Sequence, residues 1–447
     1  MSKVKHIFKN KVFQTLLVSI PNLVSGFFIS VCIARFLGDE AKGALGLISF
    51  NIELFVLILG LSIGTAITYF ISNEKISSGK IYSMSLTILL LGSAIIVASY
   101  FIADQFDQNI IIYSKKYFSA NVITYFFTLY FLTVFKQMAI AFLQGYQKID
   151  WINRCSLFTA IVSPLFIIPL IFFINAEDST QNFEMAVLLL TIISIATTLP
   201  ILYFCRNVII QKNIKIEKFG WKNHLYPFVK FSFIGHLSNL VNFLNYRIDI
   251  WFITFFFHDR LDLLGHYLVA VSLSQMIWMI PQAINLVYFP ILCKEPSVKL
   301  TIKVTRFNNF LVLIVLVIGV IISPFVIPFL YTHEFQASVI PFQILLGGMF
   351  FSSLTKTLSS YIFAVGKVKI NLLATVVGVI ITLVLDFTLI PRYGIIGAAW
   401  ATNITYFGIF AVCFIFLWNK GKKDGIGNRV WRIFVPYFTT TRIKHGR

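Results

Sequence analysis

Asn308-Asn-Phe-Leu-Val-Leu-Ile-Val-Leu-Val-Ile-Gly-Val-Ile-Ile-Ser-Pro-Phe-Val-Ile-Pro-Phe-Leu330 is a run of 23 residues without a single charge. The hydrocarbon core of a bilayer is about 30 Å thick and takes about 20 such residues as a helix. Outward from this run, comparable apolar stretches fall at 12–34, 45–71, 83–102, 117–143, 156–174, 186–205, 226–256, 264–290, 339–364, 370–390 and 397–418. That makes twelve candidate transmembrane helices and leaves no room between them for a large extramembrane domain. Composition agrees: 58% of the 447 residues are hydrophobic and 12% charged, a balance that cannot cover a wetted surface. The expected fold class is therefore all-α and integral to the membrane. Pro21, Pro164, Pro281 and Pro324 sit inside apolar stretches, where neighbouring helices can satisfy the carbonyls they free. Lys3, Lys5, Lys9 and Lys11 precede the first stretch, which is too long for a signal-peptide core and lacks a clear small-residue cleavage site; it reads as an uncleaved helix.

Charge tests this assignment independently, because Lys and Arg are retained on the cytoplasmic side of a membrane. With the N-terminus inside, the cytoplasmic segments carry 28 Lys and Arg against six outside (Arg35, Lys42, Lys115, Lys116, Arg260 and Arg392). One missed helix would invert every later loop, so this asymmetry supports twelve crossings with both termini cytoplasmic. The net charge of +19 is spread over loop ends rather than gathered on one domain, which points to membrane lipids and not to nucleic acid. The five cysteines form no CxxC pair, and no Cys/His cluster has metal-ligand spacing, so neither metal nor cofactor is expected.

The two halves of the chain echo one another. Phe142-Leu-Gln-Gly145-Tyr-Gln-Lys148-Ile149 follows the fourth stretch and Phe363-Ala-Val-Gly366-Lys-Val-Lys369-Ile370 the tenth, with the glycines 221 residues apart. Gly43 and Gly265 are 222 apart, as are Pro169 and Pro391. A duplication of six helices gives copies of one orientation, related by a pseudo-twofold axis along the membrane normal. The division expected is a lobe at 1–210, a lobe at 211–419 and a basic cytoplasmic tail at 420–447. Arg429-Val-Trp431-Arg432-Ile-Phe434 in that tail suits either an inner-leaflet segment, with cations on anionic lipid, or a plain positive-inside extension.

Arg35-Phe-Leu-Gly38-Asp-Glu-Ala-Lys-Gly43, Gly145-Tyr-Gln-Lys148 and Gly394-Ile-Ile-Gly397-Ala-Ala-Trp-Ala401-Thr402 together resemble the polysaccharide-transporter, or O-antigen (oligosaccharide) flippase, family of Wzx type. Its superfamily includes the multidrug and toxin extruders and the peptidoglycan-precursor flippases. The resemblance spans nearly the whole chain. It implies two six-helix lobes around a central cavity in the bacterial inner membrane. It also implies a substrate, polyprenyl-pyrophosphate-linked oligosaccharide, moved from the cytoplasmic to the outer face for surface polysaccharide biosynthesis. Polysaccharide polymerase and chain-length machinery would be partners, and the transporter itself is expected to be a monomer.

Polar residues within the spans are the informative ones, since each is costly in lipid. On the seventh stretch His236, Asn239, Asn242, Tyr246, Arg247 and Asp249 fall within an arc of about 160°. That face either lines a cavity or hydrogen-bonds to neighbouring helices. Lys136 and Lys356, 220 residues apart, complete a cationic set with Arg247 that would attract a pyrophosphate. The other reading of the two lysines is snorkelling to an interface. Arg247 and Asp249 point roughly 200° apart on the wheel, against direct pairing. Gln275 and Gln282 share a face with Ser272 and suit sugar hydroxyls, whereas Trp278 reads as packing. Glu53 and Asp386 are candidate coupling acids, or partners of cations.

Two rival classes remain. A cation-coupled multidrug exporter of the same fold would favour acids in its first lobe, and the first helix has none. A membrane polysaccharide polymerase or ligase would need a large outer loop with paired reactive groups. The longest outer segment, 103–116, offers only Asp104 and Asp107 near Lys115 and Lys116, so no enzyme activity is expected.

Overall fold

Each apolar stretch is mainly helical over its described residues in the computed structural model, which describes residues 2–74, 76–105, 115–117, 119–172 and 179–434. The helices are α1 (Ser2–Gly60), α2 (Ile63–Ser72), α3 (Ser78–Gln105), α4 (Ala120–Gly145), α5 (Ile149–Phe172), α6 (Ser179–Gln211), α7 (Tyr226–Phe256), α8 (Leu261–Gln275), α9 (Met279–Lys294), α10 (Val298–Tyr331), α11 (Val339–Ala364), α12 (Val368–Lys423) and the short α13 (Gly427–Val430). Asp107 and the tail beyond Phe434 lie outside the described residues.

Among the described residues nine helices are long and apolar enough to cross a membrane. The difference from twelve has a physical origin. At about 1.5 Å per residue, a straight helix of 56 residues such as α12 would be far longer than a bilayer is thick. It is broken at Gly394 (φ 56°), as α1 is at Gly38 (φ 76°), so each supplies two crossings. The twelfth is α7, whose polar residues keep it out of the nine.

The break at Gly394 is a hairpin. Thr382 and Thr405 are hydrogen-bonded through their hydroxyls at 2.9 Å. Gly378 lies against Ile409, Gly408 against Ile381, and Gly397 against the carbonyl of Leu389. Positions approaching the turn thus pair in reverse order with positions leaving it, and small residues let the two arms close.

The chain forms two compact units, Met1–Leu240 and Val241–Arg447. In the first, α2 packs on α4 through glycine: a Cβ on Gly145 would lie 2.8 Å from that of Ile71, and the Thr68 hydroxyl donates to the Ala141 carbonyl at 3.2 Å. Asn22 donates to Ser156 at 2.8 Å, joining α1 to α5. The Lys116 ammonium donates to Glu40 at 2.6 Å, and this bond raises the lysine pKa.

The internal echo persists in the backbone with an altered register. After α4, the Lys148 amide donates to the Leu143 carbonyl at 2.8 Å and Gln147 is left-handed (φ 56°). After α11, the Lys367 amide donates to the Ile362 carbonyl at 3.0 Å and Gly366 is left-handed (φ 71°). These are the same helix-terminating turn. The counterpart of Gly366 is therefore Gln147, not Gly145; Gly145 is a packing glycine inside α4.

In the second unit the C-terminal segment folds back onto the bundle. Val430 and Ile433 are fully buried beside Phe410, Phe414 and Leu417, and Asn309 donates to the Ile433 carbonyl at 3.0 Å. A Cβ on Gly421 would meet Val430 at 2.7 Å, so the close approach depends on that glycine. The stretch that suited either the leaflet or a plain extension thus inserts half of its apolar residues into protein, while Trp431 stays 51% exposed.

Two glycine substitutions separate tight from open positions. Gly397→Ala places a methyl 2.4 Å from the Leu389 carbonyl oxygen, and the overpacking should destabilise by about 1–3 kcal/mol. Gly26→Ala enters open space and should leave stability unchanged or slightly raised. Thermal unfolding of the purified variants in detergent checks both.

Candidate functional site

The first half of α7 belongs to the first unit and reads α2. Phe231 stacks on Tyr69 with ring centroids 4.3 Å apart, and Phe228 lies 5.7 Å from Phe70. Asn239 is exposed and donates to Ser62 at 3.0 Å, the residue whose left-handed backbone separates α1 from α2. His236 is buried, with Nδ1 lacking a partner. Lys136, half-buried on α4, faces Cys155 of α5. Glu53 is exposed on α1 and engaged in an interaction.

The rest of the candidates lie in the second unit. Asn242 and Gln282 are exposed and Gln275 half-buried. Tyr246 meets Trp278 edge-on at 5.2 Å and lies 6.0 Å from Tyr406. The Trp278 indole donates to Ser352 at 3.0 Å, which fixes its plane, and the Lys356 ammonium rests over the ring 4.4 Å from its centroid. A cation over an aromatic face is attracted by the ring quadrupole, more strongly when water is excluded. The Lys356 ammonium is thus held against the Trp278 ring. The sequence reading of Trp278 as packing misses this role, because a tryptophan in an apolar helix carries no sign of what lies over its ring.

Asp249 is 7% exposed. Its Oδ2 accepts a hydrogen bond from Tyr267 of α8, and the Tyr267 hydroxyl lies 3.3 Å from that of Thr402. Asp386 of α12, with no exposed surface and no hydrogen-bond partner on either carboxylate oxygen, is near enough to interact electrostatically with Asp249. Arg247 acts on Asp249 as well, although the helical wheel points them apart: charge acts across a gap that a hydrogen bond cannot. The polar arc of α7 therefore divides, with Asn239 and Asn242 exposed and His236 and Asp249 buried. Asn245, missed from sequence, ties α7 to α12 by donating to the Thr375 carbonyl at 2.9 Å.

The two lysines do not occupy equal positions. Lys136 lies 11 residues before left-handed Gln147, and Lys356 lies 10 before left-handed Gly366. That one-residue difference is about 100° around the helix. Among the described residues no group of three or more His, Cys, Asp or Glu is placed to hold a metal ion.

This bundle, with charges sequestered in apolar helices, is matched over residues 8–295 by the family model Polysacc_synt, polysaccharide biosynthesis protein. The chain belongs to the polysaccharide biosynthesis family. The matched region takes in α2 to α9 with Lys136, Arg247 and Asp249, and ends before Lys356 and Asp386. Among solved structures, the fold is similar to a lipid II flippase MurJ in an inward closed conformation, at 17% identity and TM-score 0.70, covering 96% of this chain and 94% of that one. It is also similar to an inward-facing multidrug resistance MATE family transporter of the MOP superfamily (15% identity, TM-score 0.61, 93% and 99% covered). A third likeness is to the Vibrio cholerae MATE transporter VcmN (12% identity, TM-score 0.56, 94% and 98% covered). No curated protein sequence matches the chain.

Accessibility along α7 tests the divided face of this polysaccharide biosynthesis family member. In a background with exposed Cys293 replaced by Ser, cysteines at Asn239 and Asn242 should react readily with a small water-soluble thiol reagent. One at buried Asn245 should be protected. Equal reaction rates at the three positions would contradict the burial pattern.

Proposed function

We propose that the protein is a flippase that moves polyprenyl-pyrophosphate-linked oligosaccharide from the cytoplasmic to the outer face of a bacterial inner membrane by alternating access. The observation that carries this reading is the presence of three basic side chains, Lys136, Arg247 and Lys356, within the helices of a polysaccharide biosynthesis family protein. A cation at the centre of a membrane helix costs about 2.5–3.5 kcal/mol on insertion scales, so each such group calls for a compensating partner. Pyrophosphate is the part of a lipid-linked glycan that cationic side chains suit, with Arg247 able to grip two oxygens at once. Asn239, Asn242, Gln275 and Gln282 provide uncharged partners for sugar hydroxyls.

Outward movement of an anion from a negative interior is favoured by about 2.3 kcal/mol per charge per 100 mV. Membrane potential alone is thus a sufficient driving force in principle. Of the two candidate coupling acids, Asp386 is the better placed, since it is buried beside Asp249 with no donor to its oxygens and Glu53 is exposed. A carboxylate in such a site is kept as the acid or against a cation. In this reading both termini are cytoplasmic, and polymerase and chain-length proteins act next.

A second reading, a cation-coupled multidrug exporter, is favoured by one observation: the Trp278 ring, itself packed against Tyr246, holds a cation, here the ammonium of Lys356. The two readings differ in what removal of the basic groups does. Arg247→Ala should abolish or strongly reduce delivery of lipid-linked oligosaccharide to the outer face, measured per protein in the membrane, and Lys should restore it only in part because an ammonium lacks the planar fork. Undiminished delivery by Arg247→Ala would remove that residue from anion binding. If Lys356→Ala raises the affinity for a hydrophobic organic cation while oligosaccharide delivery is unchanged, the exporter reading stands instead.

A further inference from the structure

Where α9 turns into α10, two apolar stripes face each other. Ile284, Tyr288 and Ile291 of α9 follow the spacing i, i+4, i+7, and so do Leu300, Val304 and Phe307 of α10. Between them runs a groove of about 400 Å³. Tyr288 is buried, whereas Ile291 and Phe307 at the rim are 48% and 44% exposed, so the groove is open along its side. Lys303 is the one charged residue that lines it, and it is exposed.

Three features make this more than an uncovered apolar face. The groove runs along two helices that both end in the short turn Glu295–Ser297, so one end lies at the membrane boundary and the other reaches into the apolar part of α10. Lys303 sits near the boundary end, with Phe307 one turn deeper. The exposed lysines Lys294 and Lys299 flank the mouth, against Glu295 as the acid of the turn, on the side that the charge asymmetry assigns to the cytoplasm. The chemistry is that of an amphiphile: apolar walls for a hydrocarbon chain and a cation where its polar head would sit.

We propose that the groove between α9 and α10 holds one anionic phospholipid of the cytoplasmic leaflet, its chain between the two stripes and its phosphate at Lys303. The site is independent of the proposed substrate path. It uses none of Lys136, Arg247 or Lys356, and its α10 wall lies beyond the region shared with the family model.

The test uses the full chain, purified and stripped of lipid, with phosphatidylglycerol, phosphatidylcholine and a polyprenyl phosphate offered separately and in competition, and bound lipid counted by native mass spectrometry. The wild type should retain one phosphatidylglycerol in preference to phosphatidylcholine. Lys303→Gln should lose that preference with no change in unfolding temperature, because the side chain it removes is exposed. Val304→Trp, which fills the groove, should lower retention of both phospholipids. Unchanged preference in Lys303→Gln, or equal retention of the two phospholipids by the wild type, overturns the proposal. So does retention of polyprenyl phosphate over phosphatidylglycerol, which would give the groove to a substrate tail. Oligosaccharide transport is not read, so failure here leaves the flippase reading standing, and failure of that reading leaves this one.

Discussion

A group that carries charge or hydrogen-bonds inside a layer of hydrocarbon has to find its partner within the protein, and the architecture of this chain follows from where it does so. Lys356 finds an indole face, Asp249 a tyrosine hydroxyl, and Asn245 a carbonyl on another helix. Each partner comes from a different helix from the group it serves. Such bonds fix which helix faces which, a choice that apolar packing among Leu, Ile and Phe leaves nearly degenerate. Small residues then permit the approach: Gly378 abuts both Ile409 and the Asn245 side chain, and Gly348 lies against Asn403.

Much of this was legible in sequence, for reasons that differ by residue. The apolar runs declare themselves because a bilayer imposes one length on every crossing, and the charge asymmetry declares itself because it repeats at every loop. The duplication was visible through its glycines, yet its register was not: a left-handed turn accepts Gln147 as well as Gly366, so matching glycine to glycine aligned a packing residue with a turn residue. The basic residues of the site stood out against an apolar background. Their surroundings did not, since Trp278, Tyr267 and Thr402 are ordinary members of their helices until the fold places a charge or a carboxylate beside them.

The acid pair of the second unit illustrates the same limit. Asp249 was placed on the polar arc of α7 by helical periodicity, and Asp386 was noted only as an isolated acid 137 residues later. Their proximity depends on the hairpin of α12, which brings Asp386 and Thr402 together although Pro391 and Gly394 lie between them in the chain. Like charges this close repel, so the placement of the two acids is a feature of the folded unit and not of either helix alone.

That hairpin also bears on how the chain is made. Its two arms are joined through the single non-helical residue Gly394, with no polar loop to be carried across on its own. Nascent membrane segments are ordinarily handed to lipid one after another. Here the first arm already meets α7 through Thr375 and Asp386, whereas its Thr382 hydroxyl gains its partner, Thr405, only from the second arm. The paired state of the hairpin therefore exists only once residues 395–423 have followed 368–393, and in the interval between them the Thr382 hydroxyl lacks the partner it has in the finished fold.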